Sequence, residues 1–343
     1  MKLFFGRAFV HPIFDLLLIG GGLSLIVLAY LSQYPASPPS VFVEQNMWLM
    51  IWMSNSAHFA GSTVRLYTKP GTFEELPFVT MGLPAVTLAV LGLGLLSPQV
   101  IGQNLQGLYL TWSPYHYAAQ AFGVTLMYCY RGDGLSTGQR TSIRCAAILP
   151  FFYVFLTGDG NGVGWVLPSA ILSDPNVGSF RQGLAQLVLV AALALPAIVY
   201  LLSFRPGMRR LPMISVSTLV ANSLWLTVIA SRPGLFGVVT VFHGLQYLVI
   251  LTIFHARERR RLDPEGPSGL VHAGRFYALC LALGYLLFRA WPYAGLWVGL
   301  TYAESAIVSV AVINIHHFFV DGFIWRLRGD RNYATVSEAA STG

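Results

Sequence analysis

The sequence predicts an all-α polytopic membrane bundle of about ten transmembrane helices, with both termini cytoplasmic. Three observations predict it. Of the 343 residues, 55% are AVILMFWYC and only 10% are charged, whereas a soluble domain carries about 25% charged residues. The apolar residues come in blocks of about 17 to 25, the length that crosses the hydrocarbon core. Lys and Arg gather at alternate ends of those blocks, as the positive-inside bias requires.

Spans are expected at about 14–33, 45–65, 76–96, 104–130, 142–157, 182–203, 212–230, 236–255, 274–290 and 296–325, in a single domain over 1–343. The first follows a weakly basic start and is interrupted by His11, Pro12 and Asp15. It lacks a clear cleavage site, so it reads as a retained span rather than a signal peptide. YPASPPS turns the chain into the second span, and GDGNGVGW separates the fifth from the sixth. The fifth and ninth are the shortest and suit tilted or re-entrant segments. With the N-terminus inside, the cytoplasmic ends carry Arg65 and Lys69, then Arg131, Arg140 and Arg144, then Arg205, Arg209 and Arg210. Arg257, Arg259, Arg260 and Arg261 follow, then Arg326 and Arg328. The opposite side is much poorer in Lys and Arg. The expected location is a bacterial cytoplasmic (inner) membrane.

The net charge of +7 sits at helix ends, which argues against a nucleic-acid partner. Cys129, Cys145 and Cys280 show neither CxxC spacing nor a disulfide framework and read as small apolar fillers. TGDGNGVG lacks the GxxxxGK[ST] order, so nucleotide binding is rejected.

The histidines carry the chemistry. Of eight, His58, His116, His243, His316 and His317 fall well inside four expected spans, and those four helices run in the same direction. Each sits roughly 7 to 15 residues, on the order of 10 to 22 Å, before its basic end. One layer of the membrane would therefore hold them all. A single intramembrane histidine is often a packing hydrogen bond, but five at similar depth point to function. Their neighbours at helical spacing are polar: Asn55 before His58, Trp112 and Gln120 around His116, Gln246 and Tyr247 after His243, and Asp321 after His317. Residues three or four apart share a helix face. Such companions hold the second ring nitrogen of a metal-bound imidazole.

The expected ligands are His58, His116, His243 and His316, with His317 and Asp321 as a further ligand or as support. Tyr247, Asp321 and Gln120 are the candidate catalytic groups; Asn55, Trp112 and Gln246 are candidate cofactor contacts. Imidazole with an optional carboxylate and no sulfur favours non-haem iron, with zinc next. Haem held axially by histidine is an alternative; no CxxCH is present, so it would be non-covalent. Glu304 reads as a proton or substrate contact or as a helix-end group. His11, His255 and His272 read as interfacial.

The segments NSAHF, WSPYHYAAQAFG, FHGLQY and NIHHFFVDGFIWRLR look like signature blocks of multi-span bacterial membrane proteins. Their histidine arrangement resembles that of the Brp/Blh-type carotene dioxygenases. That resemblance covers the four histidine-bearing spans and rests on arrangement rather than matched motifs. It implies several helices each giving a histidine to one iron, and oxygen cleaving an apolar polyene. Membrane desaturases match less well, because HxxxH and HxxHH boxes are missing. The expected function is a metal-dependent membrane oxidoreductase using dioxygen on a lipid or isoprenoid. Its partners would be membrane lipids, an apolar small-molecule substrate and an electron donor. Proton-coupled transport and non-covalent haem electron transfer are the competing classes.

Overall fold

The computed structural model describes residues 6–33, 41–325 and Val336, apart from the side chains of 41–44. The described residues are helical with no strand. Two short helices meet at the N-terminal end, α1 (Pro12–Ile19) and α2 (Gly22–Ser32). They are followed by α3 (Val41–Ile51), α4 (Ala57–Thr68), α5 (Phe78–Leu96), α6 (Gln103–Arg131) and α7 (Thr137–Thr157). Next come α8 (Pro175–Leu202), α9 (Met213–Ser231), α10 (Phe236–Leu262), α11 (Gly269–Val298) and α12 (Tyr302–Ile324).

Among the described residues, six helices are long and apolar enough to cross a membrane, or seven if the bent α1–α2 pair is one span. This corrects the expectation of about ten. The six are α5, α8, α9, α11, α12 and α10 with its leading turn from Pro233. The expected second, fourth and fifth spans do form helices, but polar residues dilute them. Ser54, Asn55, Ser56, His58, Ser62 and Arg65 occupy the second; Asn104, Gln106, His116 and Gln120 the fourth; Ser142 and Arg144 the fifth. A helical pattern of the right length is not enough when this many groups need solvation. The expected ninth span grows to Gly269–Val298, and the tenth starts later, at Tyr302. The YPASPPS turn, both chain ends and the basic Arg326 and Arg328 lie outside the described residues.

The chain divides into two compact units. The first comprises Met1–Met47, Leu110–Gln246 and Val336–Gly343. Here α7 packs against α8 and α9, with Ala146 and Ala147 beside Leu219. Small residues let helices approach closely where lipid gives no hydrophobic drive. The break between α1 and α2 bends the chain by 53°. Gly21 sits there with φ +76°, and its Cβ would meet the Ala221 methyl at 2.5 Å. Three carbonyls at the break find side-chain donors: Gln246 amide nitrogen on Ile19, the Ser217 hydroxyl on Gly20 and the Ser24 hydroxyl on Gly21. A broken helix is tolerable in lipid only when such groups are satisfied again. Trp225 then donates to Ser24 Oγ at 2.8 Å.

The second unit comprises Trp48–Tyr109 and Tyr247–Thr335. Helix α4 packs against α11 and α12, and α5 packs against α12. A π turn at Trp52–Ser56 leads into α4. It is held to α11 by Trp52 Nε1 donating to the Leu281 carbonyl at 3.0 Å and Tyr277 donating to the Met53 carbonyl at 2.7 Å. Gly284 permits that approach, because its Cβ would lie 2.8 Å from the Ser56 carbonyl carbon. The start of α12 is fixed by a capping box. Thr301 Oγ1 accepts from the Glu304 N–H, and Glu304 accepts from the Thr301 N–H.

Gly284→Ala pushes backbone against backbone, so it should destabilise the protein by about 1–3 kcal/mol. A lowered thermal midpoint in detergent, measured beside Gly274→Ala, where a Cβ meets nothing, checks this.

Candidate metal centre

In the second unit, α4 and α12 bring His58 and His317 together, with ring centroids 4.4 Å apart and the planes perpendicular. Both rings are buried, at 0% and 2% exposure. Asp321 lies one turn beyond His317 on the same helix face. His58, His317 and Asp321 each offer a ligand atom, and these atoms lie within 4.8 Å of one another. The second unit thus holds a buried imidazole–carboxylate cluster able to take a metal ion. His317 Nε2 and Asp321 Oδ2 are 3.3 Å apart. Two donors at about 2.1 Å from one metal, at angles near the tetrahedral value, stand about 3.4 Å apart. The donor set fits an ion.

The surroundings hold these donors in place. Ser62, one turn after His58, places its hydroxyl 2.5 Å from His317 Nδ1. The Tyr247 hydroxyl donates to Asp321 Oδ1 at 2.6 Å and accepts from Trp325 Nε1 at 3.1 Å. The Tyr247 ring lies 4.3 Å from that of His58. Arg65 lies beside Trp325, its guanidinium carbon 5.7 Å from the ring centre, and pairs with Glu258 at 3.5 Å. Arg65, expected at a basic cytoplasmic helix end, is buried, a cation in the unit that carries the cluster.

His316 is turned elsewhere. Adjacent helical residues point about 100° apart, and its Nδ1 lies 2.7 Å from Thr87 Oγ1 on α5. Glu304, in the capping box, also accepts from Gln99 at 3.1 Å, so it serves as a helix-end group. Asn55 is half-buried in the π turn, and its Oδ1 has no hydrogen-bond partner.

The first unit holds the other two predicted histidines. His116 on α6 and His243 on α10 place their ring centroids 5.2 Å apart. Tyr117 stacks on His243 at 3.7 Å and reaches Thr240 with its hydroxyl at 3.1 Å. The Gln120 amide donates to Gln246 Oε1 at 2.8 Å and to the His243 carbonyl at 3.2 Å. With Gln246 bound to Ile19, the two glutamines join the histidine-bearing helix to the broken one. Trp112 is half-buried. A cavity of about 480 Å³ opens in this unit, lined by Pro114, Tyr117, Val154, Thr157, Asp159 and Phe236 among others.

The residues absent from the expected set are Ser62, Trp325, Arg65 and Glu258. Ser62 falls four after His58, a spacing that carries a signal. Serine is nonetheless common at helix contacts in membranes, so the type alone marks nothing.

Arg65→Ala should cost about 3–5 kcal/mol, because it strands a buried carboxylate, and Arg65→Met with Glu258→Met should recover most of that. Denaturation of the single and double variants in detergent checks it. No protein-family model, curated protein or solved structure matches this chain.

Proposed function

We propose that this multi-pass membrane protein is a metal-dependent enzyme, a non-haem iron oxygenase acting on a lipid or isoprenoid. The observation that carries the reading is the buried His58–His317–Asp321 group, whose ligand atoms lie within 4.8 Å of one another. Mixed imidazole and carboxylate donors suit iron or zinc better than the soft metals that thiolates select. Cys280 is buried in the same unit but packs with Ala57, Leu251 and Phe276 in an apolar cluster, outside the donor set. Rings in contact at 4.4 Å leave no slot for a porphyrin between them, which supports a non-haem centre. When bound, iron would supply activation of dioxygen, and an electron donor would complete the cycle.

This chain's own residues do the rest. His58, His317 and Asp321 bind the ion. Tyr247 keeps one carboxylate oxygen engaged by its hydrogen bond. The enclosed helices exclude water, which strengthens every charge interaction inside. An apolar substrate reaches such a protein through the bilayer. The cavity of the first unit, about 480 Å³, falls in the range of small-molecule sites. Placement in a bacterial inner membrane belongs to the same proposal.

Elemental analysis of detergent-purified protein, with a visible spectrum of the same sample, tests this. The expected result is one or two irons per chain without a Soret band, and loss of the iron in His317→Ala and in Asp321→Asn. Zinc would redirect the reading to hydrolysis by activated water, and a Soret band to haem. No metal after anaerobic iron loading would leave proton-coupled transport as the better account of the buried histidines.

A further inference from the structure

The first unit gathers cations at one end of α7, α8 and α9. Arg140 and Arg144 stand four apart on α7 and so share a helix face. Arg205, Arg209 and Arg210 belong to the segment 203–212 that joins α8 to α9. Both of those helices are long and apolar enough to cross a membrane, so the segment between them lies at a bilayer surface. Gln139, next to Arg140, ties the two groups together. Its amide nitrogen donates to the Arg209 carbonyl at 2.7 Å, and its Oε1 accepts the Arg209 N–H at 3.4 Å. We propose that these five arginines form a binding site for the phosphate headgroup of an anionic phospholipid. The inference is independent of the metal centre.

Charge complementarity carries it. Residues 134–157 and 200–213 contain no Asp or Glu. Among the described residues, none of the five arginines has an ion pair. Arg140 is half-buried and the other four are exposed. Like charges gathered without an acid repel, and a bound anion removes the repulsion. The guanidinium fork matches the oxygens of a phosphate two at a time.

The segment also has a fixed form. The Ser203 hydroxyl donates to the Tyr200 carbonyl at 2.6 Å and accepts the Leu211 N–H at 3.4 Å, which closes the segment at its base. Gln139 Oε1 further accepts the Ser136 N–H at 3.2 Å in the capping box of α7, so the start of that helix sets the clamp on Arg209. A flank that only fixes topology needs positive charge and no such clamp. Phe204 and Met208 stand among the arginines at 50% and 47% exposure, and the Arg210 guanidinium carbon lies 5.5 Å from the Phe204 ring centre. Apolar side chains beside cations suit the boundary between headgroups and acyl chains. A soluble acidic protein or a free phosphate offers those apolar groups no such boundary.

The test uses full-length protein in a neutral detergent, with dioleoyl phosphatidylglycerol as the probe and dioleoyl phosphatidylcholine as its zwitterionic counterpart. Native mass spectrometry reads the bound fraction at each lipid concentration. Wild type should bind phosphatidylglycerol at least about tenfold more tightly than phosphatidylcholine. Each cation near an anionic lipid accounts for about fivefold. The triple variant Arg205→Gln, Arg209→Gln, Arg210→Gln should therefore lose on the order of 100-fold in phosphatidylglycerol affinity and bind phosphatidylcholine as before. The triple variant Arg260→Gln, Arg261→Gln, Arg275→Gln removes the same charge from the second unit and should stay close to wild type. If the first triple variant does not fold, Arg144→Gln with Arg205→Gln should still lose about 25-fold. Equal affinity of the wild type for both lipids would overturn the site. An equal loss in the two triple variants would also overturn it, because net charge alone would then account for binding. Inorganic pyrophosphate that binds as tightly as phosphatidylglycerol, and is lost in the first triple variant, would overturn the lipid assignment and give the arginines to a soluble phosphate.

Discussion

The carboxylate of Asp321 is the group on which the second unit is organised. A charge taken from water into a low-dielectric interior costs several kcal/mol unless its oxygens are matched. Each Asp321 oxygen is matched by a different residue, Tyr247 on one side and His317 on the other. Those partners have requirements of their own. Tyr247 needs Trp325, and His317 needs Ser62. Arg65 lies beside the Trp325 ring and needs Glu258. The polar chain that results reaches from α4 through α12 to α10. This explains why α4, a helix in contact with two apolar ones, carries serine, histidine and arginine instead of leucine.

The first unit meets the same constraint with backbone rather than charge. Its break at Gly20–Gly21 frees carbonyls that lipid cannot solvate. Gln246, Ser217 and Ser24 answer them individually. Asp15, completely buried, accepts N–H bonds from Val10 and His11 and an O–H bond from Tyr128 at 2.7 Å. Arg131 holds the preceding segment through the carbonyls of Arg7 and Ala8. In both units, the polar residues that dilute a span are the ones that hold the span in place.

That link shows what was legible in the sequence. The helical class followed from composition, and the importance of His58 and His317 from charge-averse depth and polar neighbours at helical spacing. Asp321 followed from its i+4 position. The count of spans did not, because block length is visible in the sequence while the cost of Ser54, Asn55, His58 and Arg65 within one block depends on what solvates them in the fold. Arg65 looked like a flank because it sits where a positive-inside residue belongs; burial beside Trp325 is a tertiary fact. Glu304 lies three after Thr301, and that spacing is itself the capping-box signature. Ser62 and the Thr87 partner of His316 depend on which helices are neighbours, and a single sequence does not encode that locally.

The Thr87–His316 contact bears on how α12 is held. His316 bonds to α5 and His317 to Ser62 on α4, and successive residues project about 100° apart around the axis. The helix is therefore keyed at two angles at the same height. A swivel about its long axis, or a slip by one residue, would break both bonds at once, so neither can relax independently of the other. Helix α12 thus behaves as an indexed shaft with a single seating. Any working motion that keeps both bonds would have to carry α4, α5 and α12 together.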